Sequence, residues 1–143
     1  MKLTLIVFFL FATAVLHIFC KNTKYTADQL PKEQIRFGKG GGIVGVEKTY
    51  TLLENGQVFE KVINGGLRGL DGVKKKKATA LFRTAETLGL ARAGFQYPGN
   101  TYSYIEVPLA DGFNRISWGD NQHPIDSSIQ NYFKALMEMV KTE

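Results

Sequence analysis

The residues that could carry acid–base or metal chemistry are few in this chain of 143 residues. Beyond the N-terminal apolar run the only histidine is His123, and Asp120 lies three residues before it. Such a pair could act as a general base and the group that orients it. No nucleophile has a defined place beside the pair, and one imidazole cannot form a metal site built from histidines. We therefore predict no catalytic residue, no metal and no cofactor; a small hydrolase using His123 is kept as an alternative.

A glycine cluster has the spacing of a dinucleotide-binding loop, since Gly40, Gly42 and Gly45 fit the pattern G-x-G-x-x-G. That loop needs a preceding strand and a following helix N-terminus, whose amides bind pyrophosphate. Here an alternating strand pattern and an Asn-Gly turn follow instead. The cluster is therefore predicted to be a bulged or flexible start of a strand. The alternative is a loop that contacts a protein partner through Gly41, Gly42 and Gly45.

Three tyrosines lie on either side of the loop-like segment Pro98-Gly99-Asn100: Tyr97, Tyr102 and Tyr104. Tyrosine is enriched at binding surfaces, where a large ring with a polar edge is useful. The alternation of the strand pattern places Tyr102 and Tyr104 on the sheet face away from the helices. We predict these tyrosines as partner-binding residues; an uncovered sheet face with no ligand is the other interpretation.

Four consecutive lysines account for most of the formal net charge of +5. They are Lys74, Lys75, Lys76 and Lys77. The rest of the chain is nearly balanced, which excludes a general nucleic-acid-binding surface. At the start of a helix these cations oppose the helix dipole. We predict either a solvated helix start or a contact with anionic lipid headgroups, to which each basic residue contributes about 1 kcal/mol.

The N-terminus has the pattern of a secretory signal peptide. Lys2 precedes an apolar run over residues 3–19, and Cys20 and a polar segment follow directly. A basic start and an apolar stretch are typical of such signals. Two alternatives stay open. The signal could be cleaved after Ala14, or the run could remain as an uncleaved anchor, because its length equals the lower limit of about 17 apolar residues for spanning a bilayer.

Cys20 resembles the acylated cysteine of a bacterial lipoprotein, although Phe19 and His17 stand where the usual motif has a small residue and leucine. The resemblance implies lipidation at Cys20 and anchoring to the cell envelope on the extracytoplasmic side of a bacterial membrane. The predicted organisation is a signal peptide over residues 1–19, an anchor cysteine and polar tether over residues 20–36, and one domain over residues 37–143. With a single cysteine no intramolecular disulfide can form.

The elements that position these residues follow from the hydrophobic pattern. Two alternating runs flank Asn55-Gly56, which is typical of a hairpin with a type I′ turn and would pair Leu52 with Phe59. A second hairpin is predicted around a four-residue loop over residues 110–113.

Helical periodicity covers residues 73–88 and 124–140. Asp71 is the expected N-cap of the first helix, Gly89 its C-terminal glycine, and Pro124 the first residue of the second helix. The predicted fold is α+β with the order ββαββα: a four-stranded antiparallel sheet with two helices on one face.

Across residues 37–140 the chain resembles an uncharacterised family of small bacterial lipoproteins, in FGKGGGIVG, YTLLENG, PGNTY and SWGD. That resemblance implies no activity. The Gly-Gly-x-x-G pattern at residues 41–45 is also similar to emfourin-type inhibitors of thermolysin-like metalloproteases. This second resemblance implies a cystatin-like domain in which residues 41–45 and nearby loops face a protease.

The sequence thus predicts a membrane-tethered, extracytoplasmic, monomeric module that binds a protein. An inhibitor of an extracytoplasmic metalloprotease is the alternative.

Overall fold

A seven-stranded mixed sheet with two helices packed on one side forms the fold. The structure, a computed structural model, describes residues 23–141, so the predicted signal peptide and Cys20 lie outside the described residues. The strands are β1 (Gln34–Gly41), β2 (Lys48–Leu53), β3 (Val58–Lys61), β4 (Leu67–Leu70), β5 (Gln96–Tyr97), β6 (Thr101–Pro108) and β7 (Phe113–Trp118). The helices are α1 (Lys75–Thr87) and α2 (Ser127–Glu138), and a 3-10 helix spans Leu90–Arg92.

The strand order is β4-β3-β2-β1-β6-β7-β5. All neighbours are antiparallel except β5 and β7, which are parallel. The α+β class and the two helices are confirmed, but the predicted four-stranded antiparallel sheet was too small. It lacked β1, β4 and β5, and β1 lies at the centre, where it joins the two predicted hairpins.

The central strand β1 combines a buried apolar half with a glycine-rich half. Ile35 and Phe37 are fully buried, as alternation in a central strand requires. Gly38 and Gly40 follow on the opposite face, where Tyr104 and Tyr102 are their partners in β6. The glycines obscure the strand pattern in the sequence, because glycine in a strand usually indicates a bulge or a bend.

The β2–β3 hairpin is present, but its turn differs from the prediction. A type I′ turn needs positive φ at both central residues, and here only Gly56 has it, at 96°. The N–H of Gly56 donates to the carbonyl three residues earlier, and Leu52 pairs with Val58 rather than Phe59. Residues 54–56 therefore form a three-residue connection, in which glycine takes the left-handed position.

The β6–β7 hairpin keeps the predicted loop length but lies one residue earlier, over residues 109–112. A loop over residues 110–113 would pair Ile105 with Trp118, whereas in the structure Ile105 pairs with Ile116. A shift of two positions in the pairing leaves every side chain on its predicted face. Gly112, with φ 87°, supplies the left-handed residue that closes the loop.

Helix α1 begins two residues later than predicted and has a different N-cap. Lys74 occupies that position, and its side chain makes no capping hydrogen bond, so the expected role of Asp71 was wrong. The predicted C-terminal glycine is confirmed, since Gly89 has φ 65° and its N–H donates to the carbonyl of Glu86.

Helix α2 begins at Ser127, after the predicted first residue Pro124. Asp126 is its N-cap: a carboxylate oxygen accepts the backbone N–H of Ser128 at 2.8 Å. That bond satisfies one of the donors that a helix start leaves without an intrahelical partner.

The core lies between the helices and one sheet face. Each helix contributes three buried residues, Ala78, Leu81 and Ala85 from α1 and Tyr132, Phe133 and Leu136 from α2. They pack in one cluster with Ile35, Phe37 and Ile105 of the sheet. The opposite sheet face carries polar and charged side chains, and we call it the polar face.

Candidate functional site

One end of the sheet gathers three loops. At the end of β1, Gly41 pairs with Thr101 at the start of β6, and Lys39 pairs with Lys48 at the start of β2. The β3–β4 turn lies at the same end, because β3 runs antiparallel to β2. The β1–β2 loop, the β3–β4 turn and the segment between β5 and β6 therefore project from one end of the molecule.

Exposed apolar side chains concentrate at this end, which we call the apolar end. Of the seven large apolar residues that are exposed among residues 23–141, six lie here: Ile43, Val44, Val46, Val62, Ile63 and Tyr97. The seventh, Leu109, lies at the opposite end, in the β6–β7 loop. Ile43 is fully exposed and Val44 is 82% exposed. Exposed apolar side chains next to one another, as Ile43 and Val44 are in one loop, are typical of an interaction surface.

Glycines give the β1–β2 loop its shape. Gly41, Gly42 and Gly45 all have positive φ, between 62° and 90°, which residues with a Cβ rarely adopt. The N–H of Gly45 donates to the carbonyl of Gly42, and the N–H of Gly42 donates to that of Asn100. The predicted glycine residues thus form the turn that holds Ile43 and Val44 out in solvent. The backbone angles of these glycines determine the shape of the loop. Strand β2 follows it, and not the helix N-terminus that a nucleotide-binding loop requires.

Sequence reasoning selected the glycines of this loop and missed the apolar residues between them. The available signal was an apolar pair inside a turn, as in Gly-Gly-Ile-Val-Gly at residues 41–45 and Val-Ile-Asn-Gly at residues 62–65. Turns are usually polar, so isoleucine and valine in two turns at one end of a sheet indicate a surface that interacts with another molecule.

Tyr97 lies beside His123 and Asp120, the pair on which the alternative of a small hydrolase depends. Its ring stacks on the imidazole of His123, with centroids 4.1 Å apart and an interplanar angle of 11°. Nδ1 of His123 lies 2.7 Å from a carboxylate oxygen of Asp120. A backbone hydrogen bond from Gln122 and the contact with His123 lower the pKa of Asp120. The geometry orients the imidazole, but no side-chain hydrogen bond within the described residues joins His123 to a hydroxyl nucleophile.

Behind the loop, an ion-pair network fixes Glu47 on the polar face. The guanidinium of Arg115 contacts Glu47 at 2.5 Å and Glu106 at 2.9 Å, and the hydroxyl of Tyr102 donates to Glu47 at 2.9 Å. Burial opposes ionisation of Glu47, but these hydrogen bonds outweigh it and lower the pKa of the carboxyl. The residue that ends the β1–β2 loop is therefore held by β6 and β7.

Tyr104 is fully buried, although it lies on the polar face as predicted. The guanidinium of Arg115 lies 3.8 Å from its ring centroid, and its hydroxyl donates to Oγ1 of Thr49 at 2.6 Å. Burial raises the pKa of Tyr104, so the phenol stays protonated and able to donate. Its ring is inaccessible to a partner, whereas Tyr102 is half-buried and Tyr97 is exposed.

The four lysines lie at the other end of the molecule. Residues 74–77 are all exposed and surround the start of α1. The backbone N–H of Val73 donates to the carbonyl of Gly56, which ties this helix start to the β2–β3 turn. The glycine and tyrosine residues therefore lie at the apolar end, and the lysines lie at the opposite end of the molecule.

Neither a metal site nor a membrane span is found in the part of the chain that the structure describes. No group of three histidine, cysteine or acidic side chains there could hold an ion. Helices α1 and α2 are too short and too polar to cross a bilayer.

Comparison with known proteins assigns no family. A scan against protein-family models found no match to this chain, and a search of the curated proteins found no significant relative.

Proposed function

We propose that the protein is a binding module, tethered to the extracytoplasmic side of a bacterial membrane through an acylated Cys20, that engages a protein partner with its apolar end. The observation that carries this proposal is the location of six exposed apolar side chains at one end of a polar domain. A binding role is favoured over catalysis, because this end presents apolar area and only one oriented imidazole.

The partner contact is proposed to centre on Ile43 and Val44. Complete burial of a side chain of this size contributes about 1.5–3 kcal/mol. Two backbone hydrogen bonds, from Gly42 to Asn100 and from Gly45 to Gly42, already order part of the loop and reduce the entropy lost on binding. Glu47, held by Arg115 and Tyr102, supports the loop from behind. Val62 and Ile63 on one side and Tyr97 on the other would form the periphery of the contact.

A site-specific photo-crosslinker tests the proposal in intact membranes. Placed at Val44 of the full-length protein, it is expected to give an adduct of defined mass that disappears when Ile43→Asp is added. The matched control is a crosslinker at Leu109, the exposed apolar residue at the opposite end. Equal adducts from both positions, or an adduct insensitive to Ile43→Asp, would contradict a specific contact at the apolar end.

An inhibitor of an extracytoplasmic metalloprotease is the sharper form of the same proposal. The projecting Gly-Gly-Ile-Val-Gly turn favours it, since an exposed hairpin tip suits a concave enzyme cleft, and the resemblance to emfourin-type inhibitors with a cystatin-like domain adds to it. The purified protein is expected to slow a thermolysin-like protease at micromolar concentration, and Ile43→Asp to abolish the effect. If the wild-type protein does not slow the protease, the inhibitor proposal is wrong. The general binding proposal would then still be tested by the crosslinking experiment.

A further inference from the structure

The described chain begins at the end of the molecule opposite the apolar end. The carbonyl of Thr23 accepts a hydrogen bond from Nδ2 of Asn55 at 2.6 Å. Tyr25 and Gln57 exchange two hydrogen bonds, of 2.7 Å and 3.0 Å. Asn55 lies in the β2–β3 connection and Gln57 directly follows it, so residues 23–25 of the expected tether are attached to the domain.

This attachment limits the distance between the domain and a lipid on Cys20. Thr23 follows Cys20 by three positions, and an extended chain of that length reaches at most about 11 Å. The Debye length at physiological ionic strength is about 8 Å. A domain held by an acylated Cys20 therefore keeps Thr23 within about 11 Å of the anchor, a distance not much longer than the Debye length, so the β2–β3 end stays near the lipid headgroups.

The same end carries the four consecutive lysines. Lys75 lines one groove with Thr23 and Asn55, so the start of α1 lies beside the place where the chain enters the domain. The Cα–Cβ bonds of a helix tilt toward its N-terminus, and the lysine side chains of the first turn therefore project beyond the helix end. We call this surface, formed by residues 74–77, the lysine end.

The charge of the lysine end is poorly neutralised. The first turn of α1 contains no acidic residue, and residues 74–77 enter none of the ion pairs found among residues 23–141. Glu33 and Glu54 line the same groove, and with Asp71, three residues before Lys74, they supply three negative charges. Lys24 and Lys32, next to the groove residues Tyr25 and Glu33, raise the positive charges from four to six. The positive end of the helix dipole adds to the field. The arrangement opposes helix stability and suits an anionic surface.

We propose that the lysine end docks on anionic phospholipid headgroups, so that the apolar end points away from the bilayer. The proposal rests on the membrane tether proposed above. Each basic residue near such a surface strengthens binding about fivefold, and four together contribute several hundredfold at low salt. The lipid bilayer then orients the domain, and the partner is met on the side away from the membrane.

Amine labelling of the full-length protein on vesicles tests this orientation. The protein is bound to vesicles of phosphatidylcholine alone, or of phosphatidylcholine mixed with phosphatidylglycerol, and lysine acetylation rates are read by mass spectrometry. On the anionic vesicles the rates at residues 74–77 are expected to fall at least about fivefold, the effect of one lysine contact. Lys39 and Lys61, exposed near the apolar end, are internal controls and keep their rates. Ionic strength near 1 M, where the Debye length is about 3 Å, is expected to restore labelling.

A charge-matched pair of variants isolates the cluster. The first replaces all four residues 74–77 with glutamine and is expected to lose the preference for anionic vesicles in flotation. The second makes four substitutions elsewhere and is expected to keep it: Lys39→Gln, Lys61→Gln, Lys134→Gln and Lys141→Gln.

Three outcomes overturn the proposal: equal labelling of residues 74–77 on both vesicles, protection of Lys39 and Lys61 instead, or equal loss of anionic preference in both variants. If Cys20 carries no lipid, the protein does not float with neutral vesicles. Flotation on neutral vesicles therefore tests the tether separately from the lysine contact. Protection of residues 74–77 on anionic vesicles without flotation on neutral ones would support the lysine contact and reject the tether. Because the vesicle experiment contains no protein partner, its result does not depend on whether the apolar end binds a protein.

Discussion

Gly38 and Gly40 allow two tyrosine rings to lie across the polar face of the sheet. A Cβ on Gly38 would meet the carbonyl oxygen of Lys48 at 1.9 Å, and one on Gly40 would meet the ring of Tyr102 at 2.6 Å. Neither glycine has positive φ, so what they supply is space rather than an unusual backbone angle. That space lets Tyr102 reach Glu47 and support the β1–β2 loop.

Gly38→Ala is expected to lower the free energy of unfolding by about 3 kcal/mol, the upper end of the usual cost of overpacking. The clash is with a backbone oxygen, which cannot rotate away. Gly66→Ala is the control, because a Cβ there meets nothing within 4 Å, and it is expected to change stability by less than about 0.5 kcal/mol. Urea denaturation of both variants measures the difference; equal values would contradict the close packing of β1 on β2.

At the level of elements, the two helices begin in different ways. Helix α2 has a side-chain cap from Asp126, and hydrogen bonds from the hydroxyl and backbone of Ser128 lower the pKa of that carboxyl. Helix α1 has no side-chain cap and begins with lysines. The side chain of Asp126 thus stabilises the start of α2, whereas the start of α1 keeps an unfavourable charge, which the proposed contact with anionic lipid would offset.

Asp126→Ala is expected to reduce the free energy of unfolding by about 1 kcal/mol, the usual cost of losing an N-cap. Asp126→Asn should retain most of the stability, because asparagine caps about as well without charge. Thermal or urea unfolding of the two variants distinguishes capping from charge. An equal loss in both would mean that the carboxylate charge, and not its hydrogen bond to Ser128, stabilises the helix start.

At the level of the whole molecule, stability depends on carboxylates of the sheet. Hydrogen bonding with Arg68 lowers the pKa of Glu60, and the contacts with Arg115 and Tyr102 lower that of Glu47. Both groups take up protons more readily in the unfolded chain, where the pKa of glutamate is about 4.3. Their contribution to stability is therefore complete above that value and is lost as the pH falls through the lower pKa of the folded state.

The melting temperature is accordingly expected to fall as the pH drops below about 5. Glu47→Gln should lower stability at pH 7 and flatten this dependence, since it removes one of the carboxyl groups that take up protons on unfolding. Calorimetry between pH 7 and pH 3 measures the slope. Glu54→Gln, at an exposed position of the β2–β3 turn, is the control and should keep the wild-type slope; a wild-type slope in Glu47→Gln would contradict the ion-pair network.

Local patterns were sufficient for the two helices and the hairpins β2–β3 and β6–β7. Periodicity identifies a buried face without knowledge of what covers it, and Asn55-Gly56 and Gly89 mark chain reversals through their own backbone preferences. The same local information placed Tyr102 and Tyr104 on the face away from the helices. Within the candidate site, it identified Gly41, Gly42 and Gly45.

Only the tertiary structure decided the central position of β1, the pairing register and the separation of the two ends. β4 and β5 are too short to give a pattern, and β1 carries glycines whose purpose is visible only beside the tyrosines of β6. The burial of Tyr104 depends on Arg115, eleven residues away in the sequence and on the next strand. That Ile43 and Ile63 lie at one end, and the lysines at the other, follows from antiparallel pairing between segments distant in the chain, which residue types alone do not specify.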